Sequence, residues 1–172
     1  QIYKKRGLWA IINAGSNSKL ASGICDVQKM SNMGINLAVG TDGPSSNNAL
    51  DMFREMYLIS VLQKLKYNDA AAMDANEILK AATSGSAKCM GLTDCDCIAE
   101  GKLADLMIID LERPNMQPIN NITKNLVYSG SKDDVKMTMI NGKILYENGE
   151  FVNIDKEEIY YNTQKITNRL KK

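Results

Sequence analysis

The spacing of apolar and polar residues divides the chain into a first half of short strands and helices and a second half of hairpins. Trp9-Ala10-Ile11-Ile12 is an apolar run behind a polar, basic start, with the length of a buried strand. Asn13 to Ser18 is rich in turn residues and reads as a loop. Val27 to Met33 predicts a short helix that Gly34 ends. Ile35 to Thr41 is the next strand, and its continuous run Leu37-Ala38-Val39 suits a parallel strand buried on both faces. Strand, loop, helix and strand in this order make a βαβ unit.

Leu50, Phe53, Tyr57, Leu58, Val61, Leu62 and Leu65 recur at helical spacing and predict one apolar stripe on the strongest helix in the chain. Ser45-Ser46-Asn47-Asn48 offers caps for its start, and Asp51 falls in its first turn, where a negative charge suits the helix dipole. Those four residues could also cradle an anion, but capping accounts for them. Arg54 and Glu55 fall on the polar side and read as solvated charges, and the methionines read as core filler. A second helix runs from Ala75 to Met90, with Asp74 and Glu77 as a capping box and Gly91 as terminator.

The character changes after Gly91. Leu103 to Asp110 predicts a strand, and Arg113 to Asn121 a loop holding Pro114 and Pro118. Val135, Met137 and Met139 alternate onto one face of another strand. Asn141-Gly142 is the chemistry of a tight hairpin turn into Ile144-Leu145-Tyr146, and Asn148-Gly149 marks a second turn. Asp155 to Leu170 predicts a surface helix.

At 172 residues with a net charge of +1, the chain can bury a sizeable core and gives no electrostatic reason to expect nucleic acid or a membrane as partner. No window nears the roughly 20 apolar residues of a membrane helix. Four cysteines without a dense framework read as reduced thiols of a cytoplasmic protein. Cys95-x-Cys97, with Cys89, Asp94 and Asp96 nearby, fits no standard zinc spacing. Histidine is absent, so imidazole serves neither as base nor as metal ligand here. A start at Gln1 rather than Met suits a processed or truncated product.

The candidate chemistry sits in Val39-Gly40-Thr41-Asp42-Gly43. A buried parallel strand delivers Asp42 to its C-terminal end, where α/β folds place their reactive groups. Gly43 and Pro44 then turn the chain away.

Ser16-Asn17-Ser18-Lys19-Leu20-Ala21-Ser22-Gly23, Gly40-Thr41-Asp42-Gly43 and Ser46-Asn47-Asn48-Ala49-Leu50-Asp51-Met52-Phe53 resemble the amidohydrolase superfamily, in particular its methylthioadenosine/S-adenosylhomocysteine deaminase branch. Gly101-Lys102-Leu103-Ala104-Asp105-Leu106 and the hairpin from Val135 to Lys143 are similar to the closing segments of the same enzymes. One position departs: Ile12 stands where the family often has a histidine before Asn13.

The resemblance implies the C-terminal part of a metal-dependent (β/α)8 barrel, a fold that takes about 250 residues when whole. Residues 1–92 would hold its last two βα units, 93–154 C-terminal strands of a small β-sandwich, and 155–172 a surface helix. It implies hydrolytic deamination of an adenine-type nucleoside in the parent protein, with a divalent metal of the zinc or iron class. Asp42 would be its metal-site and catalytic carboxylate. The remaining ligands would lie outside this chain, which is expected to be inactive alone and to bind no metal by itself. The missing half, or self-association through open strand edges, is the expected partner. Two other readings stay open: another substrate of the same superfamily, such as a guanine or a chlorinated ring, and a non-catalytic binding or assembly module.

Overall fold

The computed structural model describes residues 1–171, which divide into two compact units. The first joins Gln1–Lys102 with Leu111–Asp134, and the second joins Leu103–Asp110 with the chain from Val135 onward. Residues 111–134 thus pack with the first unit, where the sequence suggests a single change of character near Gly91.

In the first unit, a short helix α1 (Ile2–Lys5) precedes β1 (Trp9–Ile12), which pairs in parallel with β2 (Asn36–Val39). Ile12 lies opposite Val39, and helix α3 (Val27–Asn32), capped by Asp26, makes the crossover that Gly34 ends with φ +65°. Asn13 to Ser18 is helical rather than a loop: α2 spans Ala14–Lys19. Its turn-prone residues are overruled by tertiary contacts, since Ala14, Gly15 and Ser16 are all buried.

After β2 the short helix α4 (Pro44–Asn47) precedes α5 (Met52–Tyr67). Ser45 to Asn48 therefore belong to a separate turn. Asp51 itself caps α5, accepting from the amides of Phe53 and Arg54. The predicted stripe on α5 is also displaced. Phe53, Glu55, Met56, Ile59, Ser60 and Gln63 are buried, whereas Leu65 is 77% exposed and Leu50 lies outside the helix. The helix has apolar residues on both faces, and the buried face satisfies its polar members through distant partners. The Gln63 amide donates to the Cys25 carbonyl and its oxygen accepts from the Gln28 amide, while Ser60 shares a hydrogen bond with Tyr128.

The second predicted helix forms as α6 (Ala75–Lys80), a π-helical turn (Ala81–Gly85) and α7 (Ser86–Cys89). Asp74 caps it on the Asn76 amide, and Gly91 ends it with φ +75°. The π turn carries the helix against β2: a Cβ on Gly85 would stand 2.5 Å from the Leu37 carbonyl oxygen. The Ser86 hydroxyl accepts from the Val39 amide at 3.1 Å, with the carbonyls of Ala81 (2.9 Å) and Val39 (3.1 Å) in reach of its proton. One side chain thereby occupies the edge of β2 away from β1.

Residues 111–134 add a 3-10 turn (Pro114–Met116) and α8 (Ile122–Tyr128), which packs on α5 and α6 and buries Met116 and Val127. The shared core gathers Ile12, Val27, Ala38, Val39, Ile59, Met73 and Ile78. Each large apolar side chain there contributes about 1.5–3 kcal/mol by leaving water.

The second unit is an antiparallel sheet in the order β3 (Leu106–Ile109), β4 (Val135–Ile140), β5 (Lys143–Glu147), β6 (Glu150–Phe151). Asn141 (φ +48°) and Gly142 (φ +75°) make the tight turn between β4 and β5, and the Asp105 carboxylate accepts from the Asn141 amide. Helix α9 (Lys156–Leu170) follows, capped by Asp155 and without a buried residue; Lys172, the last residue of the segment 155–172 expected to be a surface helix, lies outside the described residues. Among the described residues no helix is long and apolar enough to cross a membrane.

Candidate active site

The site begins where β2 ends. The Gly40 amide still bonds to the Ile12 carbonyl (3.0 Å), and the chain then turns through Asp42, whose φ of +58° is left-handed and uncommon for a residue with a side chain. The backbone thus presents the carboxylate beyond the C-terminal ends of the parallel strands, as the sequence leads one to expect. Asp42 is exposed there, open to solvent.

Hydrogen-bond donors hold both carboxylate oxygens. The Gly43 amide donates to Oδ1 (2.6 Å), and the Ser16 hydroxyl donates to Oδ2 (2.6 Å). The Ser16 bond, followed by the Gly43 amide, lowers the Asp42 pKa below its ordinary value. Asp42 is therefore an anion with spare lone pairs, suited to a cation or a proton.

Behind it lies a buried polar network. Nδ2 of Asn47 donates to the Thr41 carbonyl (2.6 Å) and to Glu55 Oε1 (2.7 Å), and the Gly15 amide donates to Glu55 Oε2 (2.8 Å). Glu55 is 0% exposed, so the solvated charge read from the sequence is in fact at the centre of this network. The helical face it shares with Ile59 and Gln63, at i+4 and i+8, carries the signal that the leucine count obscures. Oδ1 of Asn47 is buried without a hydrogen-bond partner, at a cost of about 1–3 kcal/mol. Turning the amide over would set that oxygen against two acceptors. Gly15 is required here because a Cβ would stand 2.3 Å from Glu55 Oε1. At the rim, Lys19 Nζ donates to the Ser45 carbonyl (2.9 Å) and to Asn48 Oδ1.

The other candidates fall elsewhere. Ile12 is 5% exposed and points into the core. Arg54 is exposed. Met56, Met73, Met116 and Met137 are buried, while Met90 and Met107 face solvent. In the cysteine-bearing loop, Asp96 is the organising residue, pairing with Lys102 (2.8 Å) and Lys88 (3.4 Å). A cleft of about 390 Å³, lined by Trp9, Asn36, Glu77 and Lys80, lies at the opposite ends of the strands from Asp42.

Residues 4–145 match the Amidohydrolase family. The chain belongs to the amidohydrolase family. It is 41% identical over 166 residues to a 5-methylthioadenosine/S-adenosylhomocysteine deaminase of Clostridium tetani, covering 96% of this chain and 39% of that protein. It is 45% identical over 144 residues to the same-named protein of Pyrococcus furiosus, covering 84% of this chain and 34% of that one. A solved adenosine deaminase from Xanthomonas campestris with bound zinc superimposes with a TM-score of 0.95 at 36% identity, over 99% of this chain and 39% of that one. The chain thus spans about two fifths of the length of such relatives. A zinc-complexed atrazine chlorohydrolase of Arthrobacter aurescens shares the fold, with a TM-score of 0.87 at 24% identity over 94% of this chain and 36% of its own.

Among the described residues no three His, Cys, Asp or Glu side chains gather closely enough to hold a metal ion. A cation placed beside Asp42 would meet the free lone pairs of its carboxylate as oxygen ligands.

Proposed function

We propose that this chain is the C-terminal part of an aminohydrolase that hydrolytically deaminates an adenine-type nucleoside of the methylthioadenosine or S-adenosylhomocysteine kind. The observation that carries this reading is the Asp42 carboxylate at the end of a parallel strand, in a chain 41% identical to a deaminase of that name. In this reading β1 and β2 are the last two strands of a (β/α)8 barrel, the stretch to about residue 92 holds its last βα units, and the sheet of the second unit contributes to a β-sandwich. The parallel pairing of β1 with β2, and the 56% exposure of Ile11 on the face of β1 opposite the buried Ala10 and Ile12, support an apolar sheet face that the rest of a barrel would cover.

A divalent ion, held chiefly by residues outside this chain, supplies an activated water in such enzymes. Asp42 does the rest of what this chain contributes. Its anionic carboxylate, kept ionised by Ser16 and Gly43, would be one ligand of that cation and would hold the proton given up by the attacking water. Ser16 and the Asp42 backbone turn fix where that proton lands. The partner of this chain is accordingly the histidine-bearing remainder of the fold, and the chain alone is expected to be inactive.

The test is reconstitution. The 172 residues are co-expressed with the N-terminal portion of the Clostridium tetani relative, co-purified, and assayed for ammonia release from methylthioadenosine and S-adenosylhomocysteine. Release with both parts and none with either alone is the expected result. Turnover of guanine or a chlorinated triazine instead would move the substrate within the family, and failure to associate would favour a non-catalytic module.

A further inference from the structure

Glu55 is a completely buried carboxylate in the first unit, and the proposed chemistry does not touch it. Both of its oxygens act as acceptors, the pattern of an ionised group, and burying such a group is costly unless each oxygen is bonded. Packing alone would be met by an apolar residue at this place on α5. The two donors it holds are instead informative, because both lead to Asp42 by different routes.

One route runs through the backbone side: Glu55 Oε1 fixes the Asn47 amide, whose second hydrogen holds the carbonyl of Thr41, the residue before Asp42. The other runs through the side chain: Glu55 Oε2 fixes the amide of Gly15, the residue before Ser16, whose hydroxyl bonds Asp42 Oδ2. Neither route tolerates much substitution. Gly15 has no room for a Cβ, and Asn47 spends both hydrogens while its oxygen goes unpaired.

We propose that Glu55 is a positioning residue: its buried carboxylate joins the Gly15–Ser16 and Thr41–Asn47 segments and so sets the left-handed turn and the orientation of the Asp42 carboxylate. This rests on the reading of Asp42 as the site's carboxylate, but its test needs neither metal nor turnover, so the two stand or fall separately.

The test uses isotope-labelled full chain in solution. Glu55→Gln keeps the size of the side chain but offers one acceptor to two donors. The expected result is a shift of the Asp42 amide and carboxyl resonances, with loss of the HN–Hα coupling of a left-handed residue. Ile59→Ala, an apolar change on the same buried face of α5 with no part in either route, is the control for general loosening. It is expected to lower the thermal midpoint while the Asp42 and Ser16 signals stay at their native positions. The proposal is overturned if those signals stay native in folded Glu55→Gln while those of Gly15 move, or if Ile59→Ala displaces them as Glu55→Gln does. Should Glu55→Gln not fold, Glu55→Asp, which keeps the carboxylate but shortens its reach to both donors, is read in the same way.

Discussion

The hydroxyl of Ser16 donates a 2.6 Å hydrogen bond to Oδ2 of Asp42, joining the helix after β1 to the turn after β2. This bond is the largest cause of the lowered Asp42 pKa. Ser16→Ala is therefore expected to raise that pKa toward the ordinary value of about 3.9. Carboxyl-carbon titration by NMR, native against variant, checks it. Because the folded value is depressed, the bond's contribution to stability is complete above the ordinary value and is lost as pH falls through the folded one. In the variant this acid-side loss is expected to be smaller.

Gly15 stands against Glu55 and Asn47, and a Cβ added to it would lie 2.3 Å from Glu55 Oε1. Gly15→Ala is expected to destabilise the chain by about 1–3 kcal/mol, as overpacking does. A lowered urea midpoint at unchanged slope is the signature, and an unchanged midpoint would mean the network is looser than described.

The two faces of α5 separate by mutation. Ile59 is buried and Leu65 is 77% exposed. Ile59→Ala is expected to cost about 2–5 kcal/mol, and Leu65→Ala to fall within about 0.5 kcal/mol of native. Denaturant unfolding of the two variants reads both values, and equal costs would restore the leucine-lined face as the buried one.

What the sequence reveals follows from the range of each interaction. The βαβ unit, the hairpin at Asn141-Gly142 and the position of Asp42 rest on local patterns, namely continuous apolar runs and turn chemistry. Helix α2 is hidden because Gly15, Ser16 and Asn17 favour turns in isolation, and contacts from Glu55, 40 residues away, override that preference. The buried face of α5 is obscured because Leu58, Leu62 and Leu65 draw the apolar stripe away from the true core side, where Ser60 and Gln63 find partners on other elements. Glu55 and Asn47 read as an exposed charge and a cap for the same reason: the donors and acceptors that bury them lie elsewhere in the chain.

The most direct test of the central claim is Asp42→Asn in the reconstituted two-part enzyme, measured as the rate of ammonia release from methylthioadenosine. The asparagine keeps the size of the side chain and can still accept from Ser16, but carries no charge and takes no proton. A rate lowered by about 10²–10⁴, with the two parts still co-purifying, is the expected result. A rate equal to that of the native pair would contradict the claim that Asp42 is the carboxylate this chain brings to the site.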